Sequence, residues 1–212
     1  VWHRKTPKIH IAEDGIFNYT RVSANGARIF SEIEVENSSL KSEKIAVQIH
    51  FLDRNGQKLA SSPKNKLEIQ AKQIGLVKQE LTIKNPRLWT LEDPYLYRIV
   101  IELSQNGKLI DKCIHRLGIR TIDIQPNGVF LNGEHIKLKG TNNHQDHAGV
   151  GSALPDYLQY FRVKRLKEMG SNSYRTSHNP PTPELLDACD SLGMLVLDET
   201  KLLNSSKEYL NQ

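Results

Sequence analysis

Polar and apolar residues alternate along the first half of the chain, and the alternation ends near residue 118. Residues 8–12 carry Ile9 and Ile11 on one side, and after the turn Glu13-Asp14-Gly15 a second run covers 16–22. Residues 27–36 repeat the pattern with Ile29, Ile33 and Val35, and residues 45–52 align Val47, Ile49 and Phe51. Period-two alternation describes strands with one buried and one wet face, as in antiparallel sheets. Further strands are predicted at 67–69, 76–83, 96–103 and 108–117. Asn25-Gly26, Asp53-Arg54-Asn55-Gly56 and Asn106-Gly107 punctuate the series, and Asn-Gly pairs supply the positive φ that tight hairpins need. Short strands at this spacing over roughly 100 residues predict a two-sheet sandwich of immunoglobulin type. An aromatic, Pro-rich stretch with Trp89, Tyr95 and Tyr97 is expected to plug one end of it.

The character of the chain then changes. Gly118-Ile119-Arg120 leads into a hairpin with turns at Pro126-Asn127-Gly128 and Asn132-Gly133. From Ile136 the pattern becomes strand, helix, strand, helix, strand. Pro155 and Asp156 open a helix with Leu158, Phe161, Leu166 and Met169 at helical spacing, and Gly170 ends it. Thr182-Pro183-Glu184 supplies an N-cap, a first-turn proline and an acid for a second helix that buries Leu185, Leu186, Cys189 and Leu192 and stops at Gly193. The run Met194-Leu195-Val196-Leu197 suits a strand covered on both faces. Strands alternating with helices predict a parallel sheet. The expected architecture is therefore an immunoglobulin-like antiparallel β-sandwich over residues 1–120, followed over residues 121–212 by an incomplete (β/α) barrel segment of about three β-strands and two helices.

Composition narrows the function classes. A mean hydropathy of -0.51 and the lack of a long apolar run argue against a membrane span. Net charge is +5, but the basic residues are dispersed, and the densest group (Arg162, Lys164, Arg165, Lys167) is expected to be the solvated side of a helix. Neither a membrane nor a nucleic acid is therefore an expected partner. Cys113 and Cys189 fall in different predicted domains, so no disulfide framework is indicated. The compartment stays open between cytoplasm, periplasm and the secreted state.

Candidate chemistry gathers where barrel strands would end. Residues 140–144 read Gly-Thr-Asn-Asn-His, residues 172–178 read Asn-Ser-Tyr-Arg-Thr-Ser-His, and the third strand runs into Asp198-Glu199. Barrel active sites are assembled from such carboxyl-terminal strand ends. A metal reading would recruit His144, Asp146, His147 and His178, but no Cys or Glu stands beside them. A sugar reading needs neutral donors and acceptors at fixed angles, which Asn142, Asn143, His144, Arg175 and His178 offer. Against it stands a structural role in which Arg175 partners a buried carboxylate. Asp198 and Glu199 cannot both face one interior, because neighbouring strand residues point to opposite faces. At most one belongs to a site, in a supporting role.

Three ordered blocks then resemble one family. L-N-G-E-H-I-K-L-K-G-T-N-N-H-Q-D-H (131–147), N-S-Y-R-T-S-H-N-P (172–180) and C-D-S-L-G-M-L-V-L-D-E (189–199) resemble segments of glycoside hydrolase family 2, the β-galactosidase family. The resemblance extends upstream through L-W-T-L-E-D-P-Y-L-Y and L-G-I-R. It implies a fragment of a retaining β-glycosidase acting on a β-linked carbohydrate, most similar to the β-galactosidases, with glucuronide- and mannoside-cleaving relatives beside them. It implies that His144, His178 and Asn143 lie at the substrate, and that Arg175 supports the nucleophile's carboxylate with Asp198 and Glu199 nearby. The family's two catalytic glutamates would follow residue 212, so no catalytic residue is expected in this chain, which should be inert alone. The alternative is a non-catalytic carbohydrate-binding or structural module.

Departures from the family pattern are Asn179 for a tyrosine, Asn143 where β-galactosidases commonly have arginine, and Leu203 and Ser205 where many carry a magnesium-binding Glu-x-His pair. No metal or cofactor is therefore expected in this chain. Strand edges of an unfinished barrel predict self-association through residues 136–200.

Overall fold

The computed structural model describes residues 3–23 and 25–199. In chain order its elements are β1 (Ile9–Ser23), β2 (Gly26–Asn37), β3 (Glu43–Leu52), β4 (Lys58–Ser61), β5 (Asn65–Ile69), β6 (Gln73–Ile83), β7 (Tyr97–Gln105) and β8 (Lys108–Leu117). There follow β9 (Ile122–Gln125), β10 (Gly128–Leu131), β11 (Glu134–Ile136), β12 (Gly140–Asn143), α1 (Asp156–Glu168), β13 (Ser173–Thr176), α2 (Pro183–Leu192) and β14 (Leu195–Leu197). They form two units: Val1–Leu88 with Tyr95–Thr121, and Trp89–Pro94 with Ile122–Gln212.

The first unit is an antiparallel sandwich. One sheet has the order β1-β2-β6; the other has β4-β3-β7-β8, with β5 also paired to β3. Inward positions of both sheets meet in one core, with Ile29, Ile33, Val35 and Val77 from one sheet and Val47, Ile49, Phe51, Ile99 and Ile101 from the other. Phe51 stacks on Tyr97 with ring centroids 4.7 Å apart. The two runs expected around Glu13-Asp14-Gly15 are a single strand. Ile11 faces Val35 and Ile16 faces Ile33, so residues 12–15 bulge opposite Glu34 instead of reversing the chain. The short β4, on which Lys58, Leu59 and Ser61 are exposed, carries no alternation and was not predicted.

The second unit combines an antiparallel meander, β11-β10-β9, with a parallel sheet, β12-β13-β14. The expected first barrel strand at Ile136 is displaced. Glu134–Ile136 pairs antiparallel with β10, and the parallel pairing begins at Gly140, opposite Ser173. A side chain at 140 would collide with the Ser173 backbone and hydroxyl, so glycine permits that approach. α2 is capped as predicted: the Thr182 hydroxyl accepts from Leu185 N at 3.4 Å, Pro183 occupies the first turn, and Gly193 ends the helix at φ 73°. α1 differs from expectation. Its buried residues are Gln159 and Val163, while Met169 is 67 % exposed, because the stripe toward the core of Tyr174, Leu185 and Cys189 passes through positions four apart.

Six residues from within the sandwich's sequence, Trp89–Pro94, belong to this second unit. The expectation that the aromatic stretch plugs the sandwich holds for Tyr97 and fails for Trp89. The Trp89 indole is fully buried and donates to Asp190 O at 2.8 Å, and Asn132 Nδ2 donates to Trp89 O at 3.0 Å. Lys167, expected to be solvated, donates to Leu91 O and Gly193 O, each at 2.7 Å. Burial lowers its ammonium pKa. Both cysteines are free thiols.

Candidate active site

The parallel register decides which side chains meet. Asn142 pairs with Arg175 and Arg175 with Leu197, so these three form one row across the sheet. Tyr174 and Thr176 point to the opposite face, where Tyr174 packs with the helices. Within the row, Arg175 Nη1 donates to Asn142 Oδ1 at 3.1 Å. Asn143 lies on the other parity, and its amide turns back to Thr141 O at 2.8 Å and Thr141 Oγ1 at 3.0 Å. The structure thus brings Asn142, rather than Asn143, beside Arg175.

Glu199, just past β14, ties the strand ends together. Its Oε1 lies 2.8 Å from His178 Nδ1, and its Oε2 lies 2.9 Å from Arg175 Nη2. The second contact is an ion pair without hydrogen-bond direction, since Oε2 has no aligned donor. The Glu199 backbone N–H donates to Thr176 Oγ1 at 2.9 Å, which fixes where the carboxylate starts. The His178 hydrogen bond, with the Arg175 and His178 charges, holds the Glu199 carboxyl below the usual carboxylate range against a smaller desolvation effect. Asp198 is exposed, and its Oδ1 accepts from Thr176 Oγ1 at 3.4 Å. The rings of His144 and His178 stand edge to face with centroids 5.7 Å apart. Their side chains sit at the ends of neighbouring strands and are open to solvent.

This arrangement excludes one role and favours another. A general acid must hold its proton near neutral pH, so its pKa is raised. Glu199 is shifted the opposite way, and both its oxygens face basic groups. It can orient His178 and Arg175, and it is poorly suited to protonate a leaving group. Thr176 and Gln145, which the sequence reading passed over, are part of the scaffold: Gln145 Nε2 donates to Pro180 O at 2.6 Å. The period-two pattern of β13 could have flagged Thr176; nothing local flags a loop glutamine.

Among the described residues no three His, Cys, Asp or Glu side chains are placed to hold a metal ion. Leu203 and Ser205 lie outside the described residues. A leucine side chain has no ligand atom, so that pair does not fit the family's magnesium site.

An immunoglobulin-like sandwich leading into parallel β/α strands, with basic and amide groups at the strand ends, defines a class of multidomain sandwich-and-barrel proteins. The chain belongs to glycosyl hydrolases family 2: the profile of that name matches residues 9–120, and the family's TIM barrel domain profile matches residues 122–209. Over 94% of its length it is 36% identical to a putative beta-glucuronidase of Formosa agariphila, covering 23% of that protein. It is 35% identical to a beta-galactosidase of Bacteroides ovatus, again over 94% of the chain and 24% of the relative. Among solved structures, a glycosyl hydrolase family 2 member from Bacteroides cellulosilyticus superposes with a TM-score of 0.87 at 34% identity, covering 92% of this chain and 27% of that one. The beta-glucuronidase of Bacteroides uniformis gives 0.86 at 30% identity, covering 97% and 26%. The chain spans about a quarter of the length of the curated relatives it matches.

Proposed function

We propose that the chain is part of a retaining β-glycosidase and that the ends of β12, β13 and β14 form one wall of its sugar site. His144 and His178 hydrogen-bond sugar hydroxyls, Asn142 and Arg175 line the floor, and Glu199 holds His178 and Arg175 in place. The observation that carries this reading is the Glu199 carboxylate shared between Arg175 at 2.9 Å and His178 at 2.8 Å at the carboxyl ends of parallel strands. Family membership supports it. The substrate is a β-linked hexoside. β-Galactoside is the first expectation, and β-glucuronide stands beside it because the matched relatives include both. The reacting pair of carboxylates, roughly 5 Å apart in a retaining enzyme, is supplied by chain beyond residue 212, and the 212 residues alone do not turn over.

The test is hydrolysis of aryl β-galactoside, β-glucuronide and β-mannoside by this chain and by a longer protein carrying the complete barrel. Turnover in the longer protein alone is the expected result and names the sugar. Turnover in neither would turn the reading toward a binding or structural module. We further expect the isolated chain to self-associate through residues 136–200, since β12 and β14 each pair only with β13 among the described residues. A concentration-independent monomer in light scattering would refute that.

A further inference from the structure

Between β12 and α1 the chain makes a loop whose tip closes on itself: His147 N donates to Gly151 O, and Gly151 N to His147 O, both at 2.9 Å. The root of this loop carries His144. Beneath the root lies a pocket of about 90 Å³, bordered by Gln159, Arg162 and Thr182 together with Tyr174 and Leu185. Gln159, only 7 % exposed, gives it a polar floor. The pocket leaves part of the root without packed neighbours beneath it, so beyond the β12 ladder its position leans on directional bonds.

Two such bonds tie it down. Arg162 Nη2, reaching up from α1, donates to the His144 carbonyl at 2.6 Å, and Gln145 ties the next residue to Pro180. The Arg162 bond is charge-assisted and therefore the stronger of the two. The same guanidinium charge reaches the Tyr174 phenol, where it offsets part of the upward push of burial. Arg162 is thus seated between the core and the loop, on a helix that Val163 anchors. Fixing the His144 carbonyl fixes the peptide plane from which the His144 side chain departs, and with it the edge-to-face stance toward His178.

We propose that Arg162 is a positioning residue for His144, acting through the His144 carbonyl across this pocket. Its consequence for sugar binding rests on the function proposed above; its consequence for ring geometry does not. The experiment is NMR on the 212-residue chain as wild type, Arg162→Met and Arg162→Lys, titrated with methyl β-galactoside and methyl β-glucuronide. Ring centroids 5.7 Å apart give a His144–His178 ring NOE in the wild type. Arg162→Met should lose that cross-peak and bind the preferred glycoside roughly tenfold more weakly, the scale of one hydrogen bond to a charged group. Arg162→Lys should retain the cross-peak, and the Val163 and Leu185 methyl signals should stay in place in both.

Persistence of the cross-peak in Arg162→Met overturns the proposal. If the wild type binds neither glycoside yet the cross-peak still vanishes in Arg162→Met, the positioning role stands, and the sugar reading falls if a protein carrying the complete barrel also binds neither. Should Arg162→Met unfold the second unit, Arg162→Gln, whose shorter arm cannot reach the His144 carbonyl, should likewise lose the cross-peak, and its persistence there overturns the proposal.

Discussion

Among the described residues, the sandwich gathers nineteen buried apolar residues into one core, whereas the main buried cluster of the second unit holds six. The sandwich core is drawn from two facing sheets and its apolar burial is the larger of the two, with polar ties such as the buried Asn37 amide to Ile69 O and Gln79 to Val47 O added to it. The second unit leans on polar clamps: the Trp89 indole on Asp190, Lys167 across Leu91 and Gly193, and the Thr182 cap of α2. At the ends of β12–β14 it leaves Asn142, His144 and His178 open to solvent. Side chains kept available for a ligand cannot also contribute to a core, so the unit with the candidate chemistry has the smaller core and leans more on directional contacts.

Changes to each kind of contact should separate the two. Phe51→Ala, in the sandwich core at zero exposure, should cost about 3–5 kcal/mol. Urea unfolding followed by near-UV signals should show the sandwich transition moving. A smaller loss would mean that the Tyr97 ring collapses into the space. Lys167→Met leaves two carbonyls without their donor, and about 2–3 kcal/mol should be lost from the second unit. Hydrogen exchange at α1 and α2 should speed up while exchange at β3 and β7 stays unchanged. Equal acceleration in both units would erase the distinction.

Acidification should act on the cluster at the strand ends. The folded-state pKa of Glu199 lies below its unfolded value. Its contribution is therefore fully present above the ordinary glutamate value near pH ~4.3 and is lost as pH falls through the lower folded value. Proton titration by NMR should show the His178 ring shifting together with Glu199 in that acidic window. A Glu199 carboxyl titrating above the ordinary value would contradict the geometry.

Much of this was legible in the sequence where the determinants are local. Residues 108–117 were read as the strand found there, and Thr182, Pro183 and Gly193 marked the ends of α2. The partner of Trp89 lies 101 residues further along the chain, so no local pattern could assign that ring to the second unit. Asn142 and Asn143 are chemically identical neighbours, and strand parity decides which one meets Arg175. Residues 137–139 lie between β11 and β12, so the alternation does not run unbroken from Ile136 to the parallel pairing that begins at Gly140. The expectation that at most one of Asp198 and Glu199 belongs to a site did not say which, and both lie just past β14. That His178 shares the Glu199 carboxylate depends on the path of two loops, which sequence periodicity does not encode.

The most direct test of the account is kcat/KM for Glu199→Gln in a protein that carries the complete barrel. A carboxylate that orients His178 and Arg175 without reacting should, when made neutral, lower kcat/KM by roughly ten- to a hundredfold and leave measurable turnover. Abolished turnover would make Glu199 a reacting group and contradict the account.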